Sequence, residues 1–210
     1  MSKLRILCFG DSNTYGYKPD GSGRFNNEIR WTGLLQKRLG ENYQIIEEGL
    51  CGRTTVFQDV LREGRRGIDL IGTLIESHNP IDLLVVMLGT NDCKTRYNAS
   101  AAVIAAGLEK VLEKAVKAAK NELKILVVSP IELGKGVGEE GYDIEFDKNS
   151  EETSKELAKE YKKVAEKYNY AFLSAAQYAR PSIIDREHLD EEGHAQLATV
   201  IEKKIVSILE

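Results

Sequence analysis

The 210-residue sequence has no apolar run able to cross a bilayer: the longest, Leu83-Leu84-Val85-Val86-Met87-Leu88, falls far short of the ~20 residues a spanning helix needs. At the amino end, Lys3 and Arg5 precede only Ile6 to Phe9 before Gly10-Asp11, too little for a secretory apolar core. A cytoplasmic protein with no membrane partner is therefore expected. Cysteine is scarce. Cys8, Cys51 and Cys93 are odd in number, widely spaced and free of CxxC pairing, which argues against a disulfide framework and a zinc knuckle. An excess of basic charge is also missing: 29 Lys and Arg face 33 Asp and Glu, for a formal net charge of −4. With the basic side chains scattered, no footprint for a phosphate backbone exists, and no nucleic-acid partner is expected. Histidine is limited to His78, His188 and His194.

What is present suits a folded soluble chain, 42% hydrophobic and 30% charged, of a length that favours one domain with a large core. Short β-branched runs alternate with long amphipathic stretches. Strands are predicted at Leu4 to Phe9, Tyr43 to Glu47, Asp82 to Leu88, Leu123 to Ser129 and Tyr170 to Leu173. Helices are predicted at Trp31 to Leu39, Ile68 to Ser77, Ala99 to Lys120, Glu151 to Tyr168 and Glu191 to Leu209. In Ala99 to Lys120, Ile104, Leu108, Val111, Leu112, Ala115 and Ala119 recur at three- and four-residue intervals and define one buried face. Asp190 stands where a helix cap belongs, with Glu191 and Glu192 at the positive end of the last helix dipole.

Strict strand–helix alternation implies a five-stranded parallel sheet with right-handed crossovers, a flavodoxin-like α/β/α sandwich. One compositional break, the glycine-rich and then acidic stretch 134–150, reads as a long loop after the fourth strand. It contains Gly136-x-Gly138-x-x-Gly141, but no strand leads directly into it and no helix start follows, so dinucleotide binding is not expected.

In such folds ligands bind beyond the carboxyl ends of the strands. There the chain places Gly10-Asp11-Ser12-Asn13, Gly49-Leu50-Cys51-Gly52-Arg53, Gly89-Thr90-Asn91-Asp92 and Asp185-Arg186-Glu187-His188. These are the residue types acyl transfer demands: a hydroxyl, a base, a carboxylate to orient the base and donors for an oxyanion. Ser12 can supply the hydroxyl. His188 lies three residues after Asp185, Gly52 offers an unobstructed backbone N–H and Asn91 a side-chain amide.

These four blocks, in this order, resemble the signature of the SGNH (GDSL-type) hydrolases over nearly the whole chain. Ile6 to Ser12, Arg30-Trp31-Thr32-Gly33 and Glu47 to Leu50 look most like the bacterial arylesterase and acyltransferase branch. The resemblance implies a serine esterase acting on small acyl or aryl esters, without a cofactor or metal. Ser12 would be the nucleophile, His188 the general base and acid, and Asp185 its orienting partner. The Ser12 and Gly52 amides and the Asn91 side chain would form the oxyanion hole. Asp11, Asn13, Trp31, Arg53 and Thr90, beside these blocks, are the expected substrate-binding residues. Asn13 departs from the leucine of the GDSL name, which puts the substrate pocket in question more than the chemistry. Acyl transfer to alcohols, carbohydrate O-deacetylation and lysophospholipase or thioesterase activity stay open, as does a homo-oligomer, since oligomers occur in that branch.

Each assignment has a plainer competitor. Ser12 and Asn91 could be turn residues, Asp92 a cap, and Gly52 a glycine needed only for positive φ. Asp185, Glu187, His188, Asp190 and His194 could hold a metal, but HExxH spacing is missing and Glu187 reads more simply as a helix-start charge. His194 reads as a packing or surface residue and His78 as a helix-terminal one. A noncatalytic flavodoxin-like module, with residues 10–16 around an anion or nucleotide, is the reading of another class.

Overall fold

The β-branched runs pair into one sheet, whose central strands are apolar on both sides and can be covered only by helices on both faces. The computed structural model describes residues 3–209. In chain order it contains β1 (Leu4–Gly10), α1 (Ser12–Tyr15), α2 (Trp31–Leu39), β2 (Tyr43–Gly49), α3 (Gly67–His78) and β3 (Leu83–Met87). There follow α4 (Ala101–Ala118), β4 (Lys124–Ser129), α5 (Lys148–Lys167), β5 (Ala171–Ser174) and α6 (Glu191–Leu209). All five strands are parallel, in the order β2-β1-β3-β4-β5.

The chain steps one way from β1 to β2 and then crosses back past β1 to β3, so the direction of winding reverses between β1 and β3. Helices follow that reversal. Leu35 of α2 and Leu197, Ile201 and Ile205 of α6 pack with Ile6, Val85 and Leu126 on one face. Ile71 of α3, Leu108 of α4 and Leu157 and Tyr161 of α5 pack with Leu7, Leu84 and Val127 on the other. Right-handed crossovers require this division. Among the described residues no helix is long and apolar enough to cross a membrane.

Most bounds fall within two residues of the sequence expectation, and two features differ by more. The loop after β4 ends at Asp147 rather than Ser150: the Asp147 carboxylate accepts from the Ser150 amide (2.8 Å) and Ser150 Oγ accepts from the Asp147 amide (3.1 Å), a reciprocal cap that starts α5 three residues early. The single turn α1 had no periodic signal, being four residues long. The Asp11 carboxylate accepts from the Asn13 amide (3.0 Å), and Gly16 closes the turn in the left-handed region at φ 84°. Gly10 makes the tight exit from β1 possible, since a Cβ there would lie 2.0 Å from Thr14 Oγ1 and 2.7 Å from the Met87 carbonyl.

One side chain joins the two ends of the sequence at the sheet's carboxyl edge. Asn13, 2% exposed, accepts from the Leu189 amide (2.9 Å) through Oδ1 and donates to the Glu187 carbonyl (3.4 Å) through Nδ2. Trp31 Nε1 holds the same turn from below by donating to the Asn13 carbonyl (3.0 Å). Replacing Asn13 by leucine leaves a buried amide and a buried carbonyl unpaired, and unsatisfied buried groups cost about 1–3 kcal/mol each. Asn13→Leu is therefore expected to lose about 2–4 kcal/mol of stability. Urea unfolding should show this as a lowered midpoint at unchanged slope; an unchanged midpoint would remove Asn13 from this structural role.

Candidate active site

Beyond the carboxyl ends of β1, β2 and β3, three turns meet the segment that precedes α6. In that segment Asp185 Oδ1 accepts from the backbone amides of Glu187 and His188 (3.0 Å each), which bends the chain and brings the carboxylate alongside its neighbour's ring. Asp185 Oδ2 lies 2.6 Å from His188 Nδ1, and His188 Nε2 lies 2.8 Å from Ser12 Oγ. A carboxylate can only accept, so the imidazole proton sits on Nδ1 and Nε2 is left to accept from the Ser12 hydroxyl. The Tyr17 ring packs against the imidazole at 4.8 Å between centroids. Burial pulls the His188 pKa down, but the Glu187 charge and the Asp185 hydrogen bond and charge outweigh it, and the value is raised.

The donors expected for an oxyanion face the same place. Ser12 opens α1, and its amide, like that of Gly52, donates to no acceptor among the described residues. Gly52 takes φ 81°, a conformation glycine adopts without strain, and a Cβ there would meet Arg62 Nη1 at 2.9 Å. Asn91 Nδ2 donates to the Arg53 carbonyl (3.2 Å), which fixes the amide plane and leaves its second N–H for the cleft. Asp92 accepts from the Thr55 amide (2.9 and 3.1 Å) and hydroxyl, tying the turn after β3 to the turn after β2. Burial pushes its carboxyl up to about 7.

The cleft has a volume of about 510 Å³ and is lined by Ser12, Gly52, Asn91, Asp185 and His188 together. The five expected substrate-binding residues do not line it. Asp11 is buried beneath the turn, its pKa pushed up to about 6 by burial, with the Thr90 hydroxyl against its carboxyl. Thr90 is equally buried, Asn13 is spent on the backbone around His188, and Trp31 is fully enclosed in the core. Arg53 points inward: its guanidinium donates to the carbonyls of Gly10 (2.9 Å) and Glu48 and covers the Phe9 ring at 4.2 Å. Proximity in sequence misled here because alternate residues of a tight turn face opposite ways.

The walls come instead from Tyr17, Arg62, Lys94, Tyr142, Asp143 and Glu187. Glu187, read from the sequence as a helix-start charge, is a buried cleft carboxyl instead. The loop after β4 is fastened to the histidine segment: the Gly134 amide donates to the Arg186 carbonyl (2.7 Å), and Arg186 donates to the Gly136 carbonyl (2.8 Å) and Glu139 (2.9 Å) while stacking over Tyr142 at 3.7 Å. These bonds hold the loop so that Gly141, Tyr142 and Asp143 line the cleft. Lys94 Nζ donates to Glu145 Oε2 at 2.5 Å, and Arg96 bonds Asp59 (2.7 Å) and Glu145.

His194 is turned away from the cleft. It is fully buried, edge-on to Phe25, and its Nδ1 accepts from the Trp31 amide (3.3 Å) at the start of α2; burial holds its pKa down near about 3. His78 meets Glu48 (3.0 Å) at the end of α3. The three thiols are unpaired; Cys8 and Cys93 are buried, while Cys51 is half-buried at the cleft.

The chain matches the model of the GDSL-like lipase/acylhydrolase family over residues 8–196. A crystal structure with 39% sequence identity superposes with a TM-score of 0.94 over 99% of both chains. The aryl esterase of M. smegmatis is 30% identical (TM-score 0.88), and a carbohydrate acetylesterase from Sinorhizobium meliloti is 34% identical (TM-score 0.88); each comparison covers 98% of this chain and 99% of the other. A search of the curated proteins returns no match. The chain therefore belongs to the GDSL-like lipase/acylhydrolase family and is a carboxylic ester hydrolase.

Proposed function

We propose that this ester hydrolase works through Ser12, His188 and Asp185 and an acyl-enzyme, on short acyl esters of aryl or sugar alcohols. The observation that carries the reading is the continuous relay from Asp185 Oδ2 through His188 to Ser12 Oγ, at 2.6 and 2.8 Å, opening on a cleft. Ser12 Oγ attacks the ester carbonyl carbon as its proton passes to His188 Nε2. The carbonyl oxygen gains the negative charge and takes hydrogen bonds from the Ser12 and Gly52 amides and the Asn91 side chain, donors already oriented before the reaction. Collapse of this intermediate breaks the bond to the alcohol oxygen, which receives the Nε2 proton. Water then repeats the sequence on the acyl-enzyme and regenerates Ser12; a second alcohol in place of water gives acyl transfer.

The cleft walls support a short acyl group and a polar alcohol. Lys94, Asp143 and Glu187 leave no continuous apolar channel for a long chain, and the similarity to an aryl esterase and a carbohydrate acetylesterase points the same way. Such a substrate is a small-molecule ester, and no metal or cofactor takes part in the steps above.

Hydrolysis of p-nitrophenyl acetate, butyrate and octanoate by the wild type and two variants tests this. Ser12→Ala should abolish turnover without unfolding the protein, since it removes a hydroxyl at the cleft and no core volume. Asn91→Ala should cost about 10²–10³ in kcat. Rates should fall from acetate to octanoate. Full activity of Ser12→Ala would sink the serine mechanism, a near-normal Asn91→Ala would remove that donor, and an optimum at octanoate would overturn the short-acyl reading.

A further inference from the structure

Glu187 has no part in the relay just described, yet its carboxyl is placed against it. The side chain is 9% exposed, and Oε1 lies 3.7 Å from His188 Nε2, the nitrogen opposite the one Asp185 holds. Its carboxyl accepts no hydrogen bond from any described residue, so no side-chain partner explains the position. Backbone contacts fix it instead: the Glu187 amide donates to Asp185 Oδ1 (3.0 Å) and its carbonyl accepts from Asn13 (3.4 Å).

We propose that Glu187 is a positioning residue that acts through His188, its carboxylate stabilising the imidazolium at Nε2 between abstraction of the Ser12 proton and its delivery to the leaving alcohol. This rests on the serine mechanism above. The Oγ–H bond of Ser12 breaks and an Nε2–H bond forms; that bond then breaks as the alcohol oxygen takes the proton. Glu187 gains and loses no proton in the cycle and contributes only charge. In the resting enzyme the ring beside the carboxylate is neutral, with its Nε2 lone pair on the Ser12 hydroxyl, whereas in the intermediate the ring is positive. The interaction is thus stronger in the transition state than in the ground state, which is the condition for acceleration.

The charges facing the pair from other elements are Asp11 from the turn after β1, Lys94 from the turn after β3, and Asp143 from the loop after β4, with Asp185 on the same segment. His194 of α6, enclosed in the core, is a neutral ring. Lys94 is already committed to Glu145, so the surroundings of Nε2 stay predominantly negative. Burial pushes the Glu187 carboxyl up to about 7, while His188 pulls it down, the mutual preference of an opposite-charge pair.

The sign of the pH effect follows. An ionised Glu187 favours the protonated ring, and His188 must be neutral to accept from Ser12. The acid limb of kcat/KM therefore lies above the ordinary histidine value of about 6.5. Glu187→Gln, which keeps the shape and removes the charge, should lower the His188 midpoint by about one unit or more. It should also lower kcat several-fold on the alkaline plateau.

The test is an NMR titration of the His188 ring in the wild type and in Glu187→Gln, together with pH profiles for p-nitrophenyl acetate and the Ser12→Ala control. A lowered midpoint, a lowered acid limb and a reduced plateau support the proposal, and Glu187→Asp should fall between the two. An unmoved midpoint overturns it and leaves the serine mechanism standing, because the titration needs no turnover. A lowered midpoint with an unchanged plateau overturns the imidazolium role. Should Glu187→Gln not fold, the Glu187→Asp titration decides, an unmoved midpoint again overturning the proposal. Full activity of Ser12→Ala overturns the underlying mechanism whatever the midpoint does.

Discussion

The site exists because residue 13 is bonded to residues 187 and 189. Ser12 is set by the exit from β1 and His188 by the approach to α6, and between them lies almost the entire chain. A relay of two hydrogen bonds tolerates little misplacement, and the carboxyl edge of a parallel sheet brings its turns only into the same neighbourhood. The Asn13 amide supplies the remaining accuracy: it is buried, it uses both its donor and its acceptor, and its targets are backbone groups flanking the imidazole. A leucine could fill this space but could not satisfy the Glu187 carbonyl or the Leu189 amide.

The other turns are tied by the same means. Arg53 and Asp92 are buried charged groups that face away from the cleft and spend their hydrogen bonds on backbone atoms of neighbouring turns. Burying charge is costly unless it is paired and hydrogen-bonded. Here the cost yields order in loops that have no regular ladder to hold them, and Asn91 gains its fixed amide plane from the carbonyl of Arg53 itself. Arg53 and Asp92, which look as chemical as the relay, are thus part of the frame, while Ser12, Asp185 and His188 face the opening.

That division explains what could be read from the sequence. The five strands and five longer helices were legible, because burial on one or both faces imposes a period of two or 3.6 on the residues. The four blocks carrying Ser12, Gly52, Asn91 and His188 were legible as well, since strand ends carry ligands in this class of fold. The one-turn α1 was not, being shorter than any period. Nor was the facing of residues within the turns: Asp11, Asn13, Arg53 and Thr90 lie beside cleft residues but point into the protein, and Trp31 sits at a helix start whose face is settled by packing with α6. Which side chains make the cleft wall was hidden for a different reason. Tyr17, Arg62, Lys94 and Asp143 come from four loops, and only long-range bonds such as those of Arg186 bring them together.

The assembled wall is electrically lopsided. Its basic groups are largely consumed within it, Lys94 and Arg96 by Glu145 and Asp59, and Arg186 by Glu139. Asp143 and Glu187 remain, with Asp185 behind the ring and Asp11 in the turn after β1, so four carboxyl groups bear on one imidazole. Such a field favours any state in which the ring is positive, including the one formed while the serine proton is in transit. The same field opposes a substrate that brings negative charge to His188, whereas a neutral ester with hydroxyl groups meets acceptors at the wall and loses little on leaving water. Arg62 lies against Gly52, whose amide is one of the proposed oxyanion donors. The cleft is therefore polarised, negative around His188 and positive beside Gly52, which in the proposed mechanism are the places where the proton is held and the oxyanion forms, and this polarity arises from loops whose positions are fixed by the frame beneath them.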